Sequence, residues 1–388
     1  MIELVRIRNF KSLGEVSLRM QKFNCLIGMN GSGKSSVLQA FDFLSQLMRG
    51  DLSGWLDQRG WSIADLNCKL RKELNITLAV EFRLSNGALL TWIGIFNRSM
   101  LVCTSENISI NNNTVLKTDA SDYYMPDRGR YEIAFTYQGS LLSALKDSEL
   151  GEQVLEFRNA LRGMRSLELL SPHSLRKRAR AGDDIGMGGE KLSAYLDGIK
   201  GVEKTGLVEA LKQFYPRLTD FKVKTLRSGW KSLSVVEQFE GHKLETEAAH
   251  MNDGLLRILA VLTQAASDRS LILLDEVENG INQEVVEKLV DTLVASPQQL
   301  FVTTHSPLVL NYLPDEVARQ SVQFIYKTPE GESRVRHFFE IPRIADKLRI
   351  MGPGDAFVDT NLVELTQECI AMDRGDVSRE FPEAGTPA

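Results

Sequence analysis

Eight residues, Gly28-Met29-Asn30-Gly31-Ser32-Gly33-Lys34-Ser35, limit more than any others what this chain can become. They complete the pattern G-x-x-x-x-G-K-S, and they stand where that pattern has physical meaning. Before them, Phe23, Cys25, Leu26 and Ile27 make an apolar run short enough for a buried strand. After them, Val37, Phe41, Leu44 and Met48 recur at helical spacing as far as Gly50, a helix stop. Strand, glycine loop and helix in that order aim successive backbone N–H groups at phosphate oxygens, and the helix dipole adds to their field. Lys34 pairs with the β- and γ-phosphates, and the Ser35 hydroxyl ligates Mg²⁺. The nucleotide-binding set is therefore Gly28, Asn30, Gly31, Gly33, Lys34, Ser35 and Ser36, for ATP with Mg²⁺.

Two later segments share one design. Leu271-Ile272-Leu273-Leu274 is an apolar strand that ends in Asp275-Glu276. A strand buried on both faces delivers such acids to the carboxyl edge of a sheet, where ligands bind. Asp275 is expected to hold the Mg²⁺ shell and Glu276 to polarise the attacking water. Phe301-Val302-Thr303-Thr304 then leads to His305, read as a neutral donor to the γ-phosphate or to that water. Met251-Asn252-Asp253-Gly254 opens a helix running to about Ala266. Asn or Asp there serves as an N-cap, which accounts for the segment without any ligand. The other reading has the helix N-terminus address a phosphate held by another subunit.

The rest of the sequence sets boundaries. With 46 basic and 51 acidic residues among 388, the net charge of −5 excludes a globally basic nucleic-acid coat. Cys25, Cys68, Cys103 and Cys369 are scattered, which argues against a disulfide framework or a zinc site and fits a reducing compartment. The opening MIELVRIRNFKS is charged, unlike a signal peptide, and no apolar run nears the ~18 residues that span a bilayer. A cytoplasmic protein with no membrane partner is expected.

Residues 51–75 read as irregular. Alternation from Ile76 to Leu84, the Asn86-Gly87 turn, and strands over 89–96, 101–110 and 131–137 predict an antiparallel meander with a turn at Asn111-Asn112-Asn113. Leu150, Val154, Phe157 and Leu161 mark one helix; Leu192, Leu196 and Ile199, then Leu207, Leu211 and Phe214, mark two more. Between them Arg176-Lys177-Arg178-Ala179-Arg180 and a glycine-rich stretch (182–190) predict a mobile loop. Such a charge run is ordinarily a solvated face; the alternative is DNA or RNA contact through Arg176, Lys177, Arg178 and Arg180. Strand–helix alternation after Leu271 implies a parallel sheet with helices on it. The last dozen residues are polar and read as disordered.

GMNGSGKS, MNDGLLRIL, LILLDEVENGIN and FVTTHSP, in that order, resemble the Walker A, signature, Walker B with D-loop, and switch-histidine motifs of ABC-type ATPases. The likeness is strongest to the RecF/SMC/OLD-like branch and its AAA_21-type ATPases. VRIRNFKSLGEVSL resembles that branch's opening strand and hairpin, and SLLSALKDSELGEQVLEFRNALRGM its helical segment, so most of residues 1–345 take part. The resemblance implies an α/β ABC-ATPase head: a P-loop NTPase with a mixed or parallel core sheet, an antiparallel meander and a helical insert. The expected division is an N-terminal lobe over 1–140, the insert over 141–216, a C-terminal lobe over 217–345 and an extension over 346–388.

It also implies a head-to-tail pair, or a higher homo-oligomer, in which ATP on one protomer is capped by its partner's signature helix. Asn252, Asp253 and Gly254 match the signature, Glu278 to Asn282 match the segment crossing the seam, and Gln138 is the candidate Q-loop contact to Mg²⁺. Two positions depart from the family pattern: Asn252 stands where Ser is usual, and Val277 where Pro is usual. Asn still donates a hydrogen bond, from a longer side chain, so capping with slow hydrolysis is expected.

The expected function is an ATPase switch whose nucleotide-driven dimerisation controls a separately encoded effector, such as a nuclease or toxin in anti-phage defence. One alternative is a weakly hydrolysing, ATP-bound oligomeric scaffold, which Asn252 favours. Another is a RecF-like DNA repair ATPase, favoured by the basic segment and disfavoured by net acidity and the lack of a long coiled coil. The roughly 80 residues after His305 fall short of the nuclease domain that OLD-type proteins append, so no second catalytic domain is expected.

Overall fold

The computed structural model describes residues 1–119 and 121–375, and the tail read as disordered lies outside them. The chain folds as two compact units, one of residues 1–164, 316–351 and 356–388, the other of 165–315 and 352–355.

The first unit opens with β1 (Ile2–Phe10) and β2 (Leu13–Arg19), an antiparallel hairpin whose buried Val5, Ile7, Val16 and Leu18 share a face. Then come the wholly buried β3 (Phe23–Ile27) and α1 (Lys34–Arg49). Gly50 ends α1 in the left-handed conformation, its N–H donating to the Gln46 carbonyl. The stretch expected to be irregular contains a helix, α2 (Leu52–Arg59), started by the Asp51 side chain accepting from Gly54 N–H. It buries only Leu52, Trp55 and Leu56, too few for a helical period to show in the sequence.

The expected meander is present as β4 (Asn75–Arg83), β5 (Leu89–Asn97), β6 (Val102–Ile110), β7 (Asn113–Thr118), β8 (Asp122–Met125) and β9 (Gly129–Glu132). Its last strand ends at Glu132, not at 137, and residues 133–137 run without strand pairing. Next is α3 (Glu152–Arg162), whose Phe157 ring lies 5.8 Å from Phe82 and 6.4 Å from Trp92. The expected helical insert is thus divided: its first helix belongs to the unit that carries the glycine loop.

The second unit contains β10 (Arg165–Ser166), α4 (Pro172–Leu175), α5 (Leu192–Gly198), α6 (Gly201–Phe214), β11 (Leu218–Thr225), β12 (Lys231–Phe239) and β13 (His242–Glu247). It continues with α7 (Asp253–Ala265), β14 (Leu271–Leu274), α8 (Gln283–Val294), β15 (Gln299–Thr303) and α9 (Pro307–Asn311). β10, β14 and β15 form a parallel ladder in which Leu273 faces Ser166 on one side and Phe301 on the other. β11, β12 and β13 form a separate antiparallel sheet. The chain then returns to the first unit with β16 (Val322–Lys327), parallel to β3, and β17 (Ser333–His337), which meets β2 at Ser333 and Leu13. Parallel core strands, meander and covering helices make this the expected α/β class.

Residues 176–190, expected to be a mobile loop, are held at several points. Lys231 N–H donates to the Ala179 carbonyl (2.8 Å), Ser193 Oγ accepts from Ala179 N–H (3.1 Å), and Asp184 pairs with Arg165 (3.0 Å). Ile185 is fully buried. Every one of these partners is distant in sequence or outside the stretch, so composition alone suggested mobility. No helix among the described residues is long and apolar enough to cross a membrane.

One carboxylate lies wholly inside the first unit. Glu106 on β6 accepts from Trp92 Nε1 (2.8 Å), Ser140 Oγ (2.5 Å) and Leu141 N–H (2.6 Å). Burial raises its pKa, and the three donors oppose that shift. A carboxyl raised on folding binds its proton more tightly in the native state, so it costs stability as pH rises from near 4.5 through its native pKa. Glu106→Ala strands three donors and is expected to lose about 2–5 kcal/mol in urea denaturation at neutral pH. A loss under about 0.5 kcal/mol would show that the carboxylate does not hold the 138–142 segment to the meander.

Candidate functional site

In the first unit the glycine loop is built as its sequence requires. Gly33, at φ 114°, caps α1, and a Cβ there would lie 2.4 Å from Ser333 Oγ and 2.8 Å from Ser12 Oγ. Only glycine fits that backbone and that gap. Ser333 Oγ donates to the Ser32 carbonyl (2.6 Å), and Ser12 Oγ lies 3.0 Å from Ser36 Oγ, so the β1–β2 turn and β17 brace the loop from behind. Lys34 is 7% exposed, and its ammonium donates back to the carbonyls of Gly28 (2.9 Å) and Met29 (3.1 Å). The loop is thereby closed into a ring around a cation. Ser32 Oγ is buried with no hydrogen-bond partner among the described residues, whereas Asn30, Gly31 and Ser35 are exposed. An open hydroxyl and a ring of backbone amides around an ammonium fit a polyphosphate.

Gln138 does not reach this loop, which corrects its expected role. Its side chain accepts from Ser53 N–H (3.0 Å) and donates to Ser53 Oγ (2.8 Å), and the neighbouring Ser140 N–H donates to the Leu47 carbonyl (2.8 Å). Leu47 stands thirteen residues beyond Lys34 on α1, about 20 Å along the helix axis. Gln138 therefore lies at the wrong end of α1 to touch Mg²⁺ beside Ser35. On the side of β14 away from β15 runs β10, whose Ser166 is level with Leu273. A two-residue strand leaves no period to read in the sequence.

In the second unit Asp275 and Glu276 emerge at the carboxyl end of β14, and Thr303 ends the adjacent β15. Thr303 Oγ1 donates to Asp275 Oδ1 (2.5 Å) and accepts from Glu276 N–H (2.9 Å). Glu276 adopts φ 44°, a left-handed conformation that costs a non-glycine residue about 1–2 kcal/mol. Its carboxylate lies 3.8 Å from His305 Nε2 and accepts from Asn279 Nδ2 (3.2 Å). His305 N–H donates to Glu278 Oε1 (3.0 Å), while Glu278 Oε2 is buried without a hydrogen-bond partner.

Arg257 of α7 donates to the carbonyls of Asp275 (2.7 Å) and Glu276 (2.9 Å). Burial lowers its pKa, and the nearby charges of Glu278, Asp275 and Glu276 oppose that shift. Val277 N–H donates to the Thr303 carbonyl (3.2 Å), a bond that the proline usual here could not make.

The segment expected to be the signature begins α7. Asn252 is the N-cap: its Oδ1 accepts from Leu255 N–H (2.7 Å) as a serine hydroxyl would, and no described residue accepts from its Nδ2. Gly254 is buried, and a Cβ there would stand 2.9 Å from the Gly280 carbonyl, so the helix start abuts the segment that follows Glu276. Arg176 donates to the Met251 carbonyl (2.7 Å) and to Asp253 Oδ1 (2.5 Å), and Arg178 pairs with Glu247 (3.3 Å). The basic run is thus partly neutralised within its own unit.

Asp275, Glu276, Glu278 and His305 are brought together; Thr303, Arg257 and Arg176 are the partners that sequence reasoning missed. Thr303 was visible as a hydroxyl ending a buried strand two residues before His305, nothing local marked Arg257, and Arg176 was read only as part of the basic run. No group of three or more His, Cys, Asp or Glu among the described residues could hold a metal alone. Asp275 at the end of β14 and Ser35 in the glycine loop are each the kind of oxygen donor that a hard cation takes.

Residues 1–149 match the family described as "AAA ATPase domain", and residues 124–311 that described as "AAA domain, putative AbiEii toxin, Type IV TA system". No curated protein matches the chain. Among solved structures, the crystal structure of the SmcHead bound to the C-winged helix domain of ScpA is 14% identical, with 86% of this chain and 96% of that one covered and a TM-score of 0.53. That similarity is one of fold. The SMC head domain from Thermotoga maritima is 12% identical over 86% and 98% of the two chains, at a TM-score of 0.47. A Smc head domain with an extended coiled coil, bound to the C-terminal domain of ScpA and derived from Pyrococcus furiosus, is 13% identical over 90% and 99%, at 0.49.

Thr303→Val leaves the Glu276 N–H and the Asp275 carboxylate without their shared hydroxyl. It is expected to lower stability by about 1–3 kcal/mol, with Thr303→Ser within about 0.5 kcal/mol of wild type. Equal stability of all three in denaturant titrations would remove Thr303 from this account.

Proposed function

We propose that this chain is an ABC-type ATPase of the RecF/SMC-like branch, that two copies close head to tail on ATP, and that this closure controls a partner protein. The approach of Glu276 to His305, 3.8 Å apart beside Asp275, is the observation that carries the reading. Lys34 and the loop amides bind the triphosphate. Mg²⁺, when bound, would be held by Ser35 and Asp275 and would supply charge neutralisation at the phosphate oxygens. Glu276 accepts the proton of the attacking water at a carboxylate oxygen, and His305 donates from Nε2 to the γ-phosphate. Arg257 fixes the backbone of both acids, and Glu278 fixes that of His305.

The second half of the pocket comes from the other copy. The N-terminus of α7 offers backbone N–H groups, and Asn252 of the partner subunit offers Nδ2. Asp253 would repel a phosphate there, and its ion pair with Arg176 offsets that charge. Because Asn252 is longer than serine, it caps without the same fit, and turnover is slow. A family description naming a toxin–antitoxin system, and SMC heads bound to ScpA, favour a head that works through another protein, as an effector-controlling switch in defence would. Asn252 also favours a second reading, in which ATP holds a non-hydrolysing scaffold together.

Glu276→Gln is expected to lower turnover at least ~100-fold and to accumulate as a MgATP-dependent dimer in light scattering. Lys34→Ala is expected to stay monomeric. If Glu276→Gln binds ATP yet remains a monomer, the seam is wrong. If wild type assembles on ATP with no turnover above Lys34→Ala, the scaffold reading replaces the switch.

A further inference from the structure

The second unit has another site, at the tip of the β11–β12 hairpin. Leu226 N–H donates to the Trp230 carbonyl (2.7 Å), and Ser228 and Gly229 complete the turn at φ 63° and 80°. The turn projects Arg227 and Trp230 from a tip exposed throughout residues 224–230. The Ala179–Lys231 bridge lays the basic segment against this tip. Ala179 is buried and its neighbours Arg178 and Arg180 are exposed, the alternation of a strand. An open groove of about 560 Å³ results, lined by Arg178, Leu226, Arg227 and Trp230.

Four facts set the ligand's chemistry. Trp230 lines the groove and is 40% exposed, with Arg180 stacked over its ring at 4.8 Å. Arg227 and Arg180 have no ion pair among the described residues, and the pair of Arg178 with Glu247 is solvent-exposed, so an incoming anion can exchange with it. Nearby Glu245 already accepts Lys222 and Lys224. The chain as a whole carries −5, so this local excess of cations is not its background.

We propose that the groove binds single-stranded nucleic acid, with a base stacked on Trp230 and the flanking phosphates on Arg178 and Arg227. An acidic peptide would satisfy the arginines and leave the indole unused. A duplex would present phosphates and keep its base faces stacked away from the ring. This goes beyond the ATPase reading and does not depend on the seam.

The test is fluorescence anisotropy with the full-length protein and labelled dT20, rU20 and a 20-bp DNA duplex, at two salt concentrations. Either single strand should bind more tightly than the duplex, and the stronger of the two names the sugar preferred. Trp230→Ala should weaken single-strand binding roughly 5- to 150-fold, as loss of one stacked base does, and Trp230→Phe much less. Arg227→Gln should flatten the salt dependence by roughly one phosphate contact. None of these variants should change ATP affinity. No single-strand binding, equal loss on strand and duplex with Trp230→Ala, or equal competition by poly-glutamate would each overturn the proposal.

Discussion

The parallel pairing of β14 with β15 governs the chemistry of its unit. Leu274 lies level with Val302, so the next residues on the two strands, Asp275 and Thr303, share a side and meet through a hydroxyl. A slip of one residue would turn the threonine to the other face and leave the carboxylate without it. The same hydroxyl takes the N–H of Glu276, where the strand breaks into a left-handed turn. In a regular strand two successive acids point to opposite faces. The turn at Glu276 breaks that alternation, and its carboxylate comes to lie beside His305. Strain kept at one backbone position is thereby tied to the pairing of Glu276 with His305.

Much of this was legible because it is local. The glycine loop, the apolar strand ending in two acids, and the strand ending in Thr304-His305 each announce themselves within about ten residues. What could not be read depends on partners far along the chain. Arg176 lies 77 positions from Asp253, and the bridge from Ala179 to Lys231 joins a segment read as a mobile loop to a residue 52 positions further on. Gln138 was misplaced for a related reason. The strand supposed to deliver it stops at Glu132, and Ser140, just past Gln138, is fastened to the far end of α1.

The two departures from the family pattern have different physical weight. Val277 keeps its N–H and gives it to the Thr303 carbonyl, so the change from proline extends the link between β14 and β15 by one bond. Asn252 keeps the capping role of a serine through Oδ1 and adds an amide donor on a longer arm. The first change reinforces the carboxylate edge. The second alters only what α7 presents outward, beside an Asp253 that Arg176 holds in check.

Mixing two inactive variants reaches the central claim most directly. Lys34→Ala lacks a working phosphate loop, and Gly254→Asp places bulk and charge at the start of α7, against the Gly280 carbonyl. If each copy completes the other's pocket, the mixture contains heterodimers with one intact site, and turnover returns to as much as roughly a quarter of wild type. If the mixture stays as inactive as its components, while both variants remain folded, the nucleotide is not shared between two copies.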